Sequence, residues 1–275
     1  DHCMIHGSVN KIVDRILAYP TRRAYARYVG NIPVAVSLGV LKARIAWMRG
    51  SVDDAWAIVS EKVDIARGLV PFVLGYALGL GAIPILMWRG EAEAAARLTS
   101  ELRDLAHENR LDYWTSWARM CEVALAVRTG HQSEDVARSH KLTARESDMI
   151  GTWDERLVTP RALHRAETGQ VGWSAAETLR CATWQRLREG SIGLGAADLA
   201  FQHATDIARA QEASSWELRI ATSRARLWSL QGRRGDALAL VEGTLERFTQ
   251  GSETRDHALA RKVAEELSLD HLPLS

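Results

Sequence analysis

Apolar residues recur along this chain at helical spacing. Val52, Ala55, Trp56, Val59, Val63 and Ala66 follow an i, i+3, i+4, i+7, i+11 stripe with polar residues between. Ala95, Leu98, Leu102 and Leu105 repeat that stripe, as do Leu238, Val241, Leu245 and Phe248. Other segments are apolar over more of their circumference: Val34, Leu38, Leu41 and Ile45 have Val36 and Val40 between them. A helix apolar nearly all round is covered on both sides, as inner helices of a stacked array are. Strand signals are poor, with no Asn-Gly or Asp-Gly pair. The pattern predicts an all-helical chain with helices at 8–18, 31–49, 52–67, 71–89, 91–108, 111–129, 133–146, 160–168, 173–189, 196–212, 214–231, 234–248 and 254–267.

Glycines give these helices a rhythm. Gly50, Gly90 and Gly130 stand 40 residues apart, and Gly169, Gly190 and Gly232 follow. Trp47-Met48-Arg49-Gly50 rhymes with Met87-Trp88-Arg89-Gly90, and an alanine (Ala55, Ala95, Ala237) stands five residues after three of the glycines. This spacing reads as a helix ended by a left-handed glycine, a short turn, and a second helix whose small residue permits close approach to the first. The predicted fold is all-α, a right-handed α-solenoid of tetratricopeptide-like helical hairpins. Residues 1–30 are expected to be an N-terminal helical lead-in and 31–275 the repeat domain. The repeat fits worst over 147–172, where Gly169 and Gly190 are only 21 apart and Thr159-Pro160 interrupts any long helix.

Composition narrows the function classes. The 275 residues are 47% hydrophobic, and 35 basic residues balance 34 acidic ones to a net +1. Disorder needs the opposite composition, and a nucleic-acid module would show a basic surplus. The apolar run Val70 to Trp88 reaches membrane-spanning length but is interrupted by Pro71, Pro84 and glycines and sits in a repeat, so it reads as a buried helix. Cys3, Cys121 and Cys181 form no metal-ligand pair, and this odd, sparse set leads us to expect a reducing, cytoplasmic location. Cys121, amid Met120, Val123 and Ala124, reads as a small buried hydrophobe.

From Ala197 to Leu267 the sequence becomes more specific. Phe201-Gln202-His203-Ala204-Thr205-Asp206-Ile207-Ala208-Arg209, followed by Ser215-Trp216-Glu217-Leu218-Arg219 and on through Trp228 to Gln231-Gly232-Arg233, resembles the closing repeats of a family of large bacterial regulators. These join a winged-helix transcriptional module, or an adenylate or guanylate cyclase, to a signalling ATPase and a tetratricopeptide-like C-terminal region. Val70-Pro71-Phe72-Val73-Leu74-Gly75-Tyr76-Ala77-Leu78, Tyr113-Trp114-Thr115-Ser116-Trp117-Ala118-Arg119 and Gly172-Trp173-Ser174-Ala175-Ala176-Glu177-Thr178-Leu179-Arg180 are similar to earlier parts of that region. The family often has Cys where Ser174 stands and Lys-Gly-Glu where Ala182-Thr183-Trp184 stand. The resemblance implies a non-catalytic repeat domain of a bacterial signal-transduction regulator. Such a domain binds a protein, peptide or small effector, the fused ATPase included, and relays occupancy to the output domain, without cofactor, membrane or direct nucleic-acid contact. A chain opening on Asp1 is then expected to be a piece of a longer protein.

Candidate binding residues follow from where the aromatics fall. Trp114, Trp117, Trp173 and Trp216 lie near the starts of first helices, which line the concave face of such arrays. With Tyr76, Arg119, Glu177 and Arg219 they make the predicted partner-binding groove, because aromatic and Arg residues are preferred anchors. Trp47, Trp56, Trp88 and Trp228 read as wedges between helices. No catalytic residue is proposed: Gly-x-x-x-x-Gly-Lys-Ser/Thr, His-Glu-x-x-His and Gly-x-Ser-x-Gly do not occur. Gly79-Leu80-Gly81 begins like a dinucleotide fingerprint, but Pro84 takes the third glycine's place and no strand precedes it. His2, Cys3 and His6 lack the second pair of ligands that zinc requires. The rival readings are a groove hydrolase built on a buried carboxylate, against which the acids are expected on outward faces, and a homodimerisation module using Leu259, Val263 and Leu267 on the last helix.

Overall fold

The computed structural model describes residues 28–29, 32–130 and 142–269. The predicted helix at 8–18, the His2/Cys3/His6 group and most of the predicted helix at 133–146 lie outside them. A short antiparallel ribbon, β1 (Tyr28–Val29) with β2 (Ile32–Pro33), precedes the helices. Helix α1 (Val34–Met48) starts three residues later than the sequence predicts, because the residue before Pro33 is held extended. Then come α2 (Val52–Arg67), α3 (Pro71–Arg89), α4 (Ala92–Glu108), α5 (Asp112–Arg128) and α6 (Ala144–Ile150). After a 3-10 turn at Glu155–Leu157 follow α7 (Pro160–Glu167), α8 (Ala175–Arg188), α9 (Leu194–Ala210), α10 (Ser214–Leu230), α11 (Arg234–Leu245) and α12 (Arg255–Leu269). The fold is all-α.

The helix-ending glycines behave as their spacing requires. Gly50, Gly90, Gly130, Gly169, Gly190 and Gly232 all have positive φ, between 69° and 95°, the left-handed cap that only glycine adopts freely. Ala55, Ala95 and Ala237 are fully buried, as expected of residues that let one helix approach another. Two helix ends use residues other than glycine, Arg110 (φ 53°) after α4 and Glu212 (φ 54°) after α9, which is why no glycine marks them.

The described residues divide into two compact units, an N-terminal one of residues up to Trp47 and Val52–Glu146, and a C-terminal one from Ser147 that also includes Met48–Ser51, so the main boundary falls inside α6. In the N-terminal unit α3 is central. It carries a π-helical stretch at Leu78–Ala82 between two α-helical halves, and six of its residues from Ile83 to Trp88 are buried. The helix is long and apolar enough to cross a membrane, but most of its apolar window is buried inside this unit. Its glycines are contact points. A Cβ on Gly75 would stand 2.6 Å from the Trp114 ring, and one on Gly81 would stand 2.7 Å from Val59. Trp117 donates its indole N–H to the Gly79 carbonyl (2.7 Å), a group at the irregular stretch. Trp47 stacks on Trp88 with ring centroids 4.5 Å apart, so these two are the wedges the sequence predicts.

In the C-terminal unit each helix from α7 to α12 packs on its successor, and α8 also packs on α10 and α10 on α12. Its core gathers Leu218, Ala225, Ala237, Val241, Ala260, Val263 and Leu267, with Trp228, Leu238, Leu245 and Phe248 against them. Of the terminal stripe Leu259, Val263 and Leu267, the last two are buried against α10 and α11, while Leu259 is half-buried. The poorly fitting stretch is ordered by side-chain caps. Thr159 Oγ1 accepts from the Ala162 N–H at the start of α7 (3.0 Å). Thr143 and Glu146 form a reciprocal capping box (2.8 and 3.3 Å) that starts α6 at Ala144, so a helix begins where the predicted helix 133–146 was expected to end.

Candidate functional site

The C-terminal unit contains a pocket of about 600 Å³. The same-face residues of three alternate helices build it. Glu177, Arg180, Trp184 and Arg188 of α8 follow a three-four-four spacing, Arg219, Thr222, Ser223 and Arg226 occupy two turns of α10, and Arg255, Asp256 and Leu259 open α12. The segment Trp153-Asp154-Glu155-Arg156 closes one side. Helices two apart in the chain can line one pocket because α8 packs on α10 and α10 on α12, while α9 and α11 lie between them in sequence.

A buried charge network forms its floor. Glu177 is 1% exposed and receives three hydrogen bonds: Arg180 Nε to Oε2 (2.8 Å), Arg180 Nη2 to Oε1 (3.0 Å) and Arg219 Nη1 to Oε1 (2.9 Å). Arg219 also donates to Asp256 Oδ2 (2.7 Å) and to the Thr152 carbonyl (2.9 Å), and its guanidinium lies over the Trp216 ring at 5.0 Å. Burial alone would raise the Glu177 carboxyl, but Arg180 and Arg219 outweigh it and hold the group below its ordinary value. Burial opposes the charge on Arg219, and Asp256 and Glu177 more than restore it. Asp154 likewise lies below its ordinary value, the pairing with Arg156 outweighing burial. Burial pushes the Cys181 thiol well up, even with the Arg180 guanidinium 3.1 Å from its sulfur. Chemically, these carboxylates stay ionised and clamped, an arrangement that holds charge in place.

The residues predicted for a groove are distributed differently. Of the eight, Glu177 and Arg219 line this pocket. Trp216 is fully buried and donates its N–H to the Trp173 carbonyl (2.9 Å), with Trp173 itself 7% exposed, so both serve helix packing. Trp114 and Trp117 are fully buried in the N-terminal unit beneath the exposed Tyr113, as large rings at glycine contacts must be. Tyr76 is half-buried in that unit near Arg44 and Arg145. Burial raises its hydroxyl and the two arginines only partly offset this. Arg119 is exposed. The tryptophans are corrected from surface anchors to packing elements: a ring on the inner face of a helix that is covered on both sides has no free surface.

The acids also depart from expectation. Glu146, Asp148, Glu177 and Glu217 are buried, not turned outward, and each is paired or hydrogen-bonded. Glu217 pairs with Arg209 and Arg247, while Arg219 reaches Glu177 and Asp256. Trp228, expected as a wedge, is half-buried between the guanidiniums of Arg224 (4.6 Å) and Arg233 (4.1 Å) and donates to Asp198 (2.9 Å). His257 is 6% exposed and bonds Thr254 through Nδ1 (2.9 Å). Sequence reasoning missed Arg180, Trp184, Arg188, Ser223 and Arg226 as site residues. Their three-to-four spacing from Glu177 and Arg219 was the available signal, a polar stripe on helices otherwise read for apolar stripes. Among the described residues no cluster of His, Cys, Asp and Glu is arranged to hold a metal ion. No family model matches the chain, and no curated protein matches it.

Proposed function

We propose that this chain is a non-catalytic recognition module of stacked tetratricopeptide-like hairpins, forming a right-handed α-solenoid. Its pocket on α8, α10 and α12 takes a ligand, a peptide or a small effector. One observation carries the reading: alternate helices of three successive pairs turn charged and aromatic residues to a single pocket. Stacked pairs meet only their neighbours, so a ligand bridging three of them biases their relative rotation. The clamped carboxylates support holding over proton transfer, which needs a group able to exchange its proton near working pH. The resemblance at 197–267 supports a place in a bacterial, cytoplasmic signal-transduction regulator, where occupancy would be relayed to a fused ATPase and output domain.

The test is a binding screen of the full chain by isothermal titration against short peptides of varied charge and against small organic anions and cations. At least one ligand is expected to bind saturably, and Arg188→Glu, at the exposed edge of the pocket, is expected to weaken it. Binding indifferent to Arg188→Glu and to substitutions at Arg226 would place the ligand elsewhere and overturn the assignment.

A further inference from the structure

The pocket's hydrogen-bonding capacity is unevenly used. Six arginines line it, Arg156, Arg180, Arg188, Arg219, Arg226 and Arg255, against four carboxylates, Asp154, Glu155, Glu177 and Asp256, which leaves a formal surplus of two positive charges. The carboxylates are taken by ion pairs: Asp154 with Arg156, Glu155 with Arg188, Glu177 with Arg180 and Arg219, and Asp256 with Arg219. Arg226 and Arg255 are exposed, and among the described residues no carboxylate is in ion-pair contact with either, although the Arg255 charge is felt at Asp154. The remaining spare capacity is also of donors. Ser223 Oγ accepts from Arg180 (3.0 Å), which leaves its own O–H to give, and Ser223 is 4% exposed. Trp153 is 3% exposed, and its indole N–H has no acceptor among the described residues. Buried donors without acceptors are costly, and a ligand rich in acceptor oxygens relieves that cost.

The pocket also has an apolar side. Trp184, half-buried and edge-on to Phe201 (5.8 Å), Leu259 and the Trp153 ring line it together with the charged groups. Its volume of about 600 Å³ falls within the range of small-molecule sites, roughly 300–1,000 Å³. Resting on the recognition reading above, we propose that this pocket binds a small organic dianion. The ligand carries one phosphate monoester group or two carboxylates, with an apolar or aromatic body. Arg226 and Arg255 contact the anionic oxygens, because guanidiniums match phosphate and carboxylate geometry with paired N–H donors. The body lies against Trp184 and Leu259.

Titration of the full chain with phenyl phosphate, phthalate, inorganic phosphate and uncharged benzyl alcohol tests this. Phenyl phosphate or phthalate is expected to bind saturably and benzyl alcohol not at all, and the pair shows which oxyanion the pocket prefers. Inorganic phosphate is expected to bind more weakly than phenyl phosphate, having no body to place against the ring. Phenyl phosphate affinity is expected to rise with pH as the ester takes its second charge, near about pH 6. Arg226→Gln and Arg255→Gln are each expected to lower affinity about tenfold, with circular dichroism unchanged, whereas Arg103→Gln in the N-terminal unit leaves it unaltered. Absence of saturable dianion binding, or equal binding by benzyl alcohol, overturns the proposal. If a neutral or cationic peptide then binds in an Arg188→Glu-sensitive way, the recognition reading survives without the dianion. If nothing binds, both fall.

Discussion

At the scale of single residues, Glu177 is the most consequential group in the C-terminal unit. Its two arginine partners are largely buried, so removing its charge takes the nearest carboxylate from Arg180 and leaves Arg219 with Asp256 alone. Glu177→Gln is expected to destabilise the unit by about 3 kcal/mol, read by urea unfolding. The sign of its pH dependence follows from the depressed carboxyl. The folded value lies below the unfolded one, about 4.3, so the stabilisation is complete above that pH and disappears as pH falls through the folded value. The stability difference between wild type and Glu177→Gln should therefore be flat from about pH 7 to 6 and shrink below about pH 4. Arg110 is a second test at this scale. It holds a left-handed backbone (φ 53°) that strains any side chain, and it is exposed. Arg110→Gly is expected to gain about 0.5 kcal/mol, the relieved strain slightly exceeding the added entropy of the unfolded chain.

At the scale of elements, the glycines of α3 and α11 look alike in sequence and differ in surroundings. Gly75→Ala would drive a methyl into the rigid, fully buried Trp114 ring. It should destabilise by about 2 kcal/mol although alanine is the better helix former. Gly243, inside α11, has open space around it, so Gly243→Ala should stabilise by about 0.5–1 kcal/mol. Both are measured by denaturant unfolding. The boundaries of the elements were largely legible where a local device sets them. The left-handed glycines mark six helix ends, and Thr159-Pro160 starts α7 as a cap followed by a first-turn proline. The Thr143/Glu146 capping box was in the sequence too, but the weak repeat around it drew the boundary of α6 to the wrong place. Arg110 and Glu212 gave no such signal, since nothing in their side chains announces a left-handed backbone.

At the scale of the whole molecule, the division at Glu146 and Ser147 makes a prediction about cooperativity. Contacts within each unit dominate its stability, so Gly75→Ala should speed amide hydrogen exchange across Val52–Arg67 and Asp112–Arg128 and leave Ser214–Leu230 near its original rate. Glu177→Gln should do the reverse, and mass spectrometry of exchanged peptides reads both. By itself the sequence determined the helical class, the rhythm of helix ends and the small residues where helices meet, because periodicity, left-handed caps and missing side chains act within a few residues. Which rings are core and which acids are buried depended on how the helices pack. The pocket was likewise beyond the sequence alone, since Glu177, Arg219 and Asp256 lie on three helices far apart in the chain, and their charges act on one another only once packing brings those helices side by side.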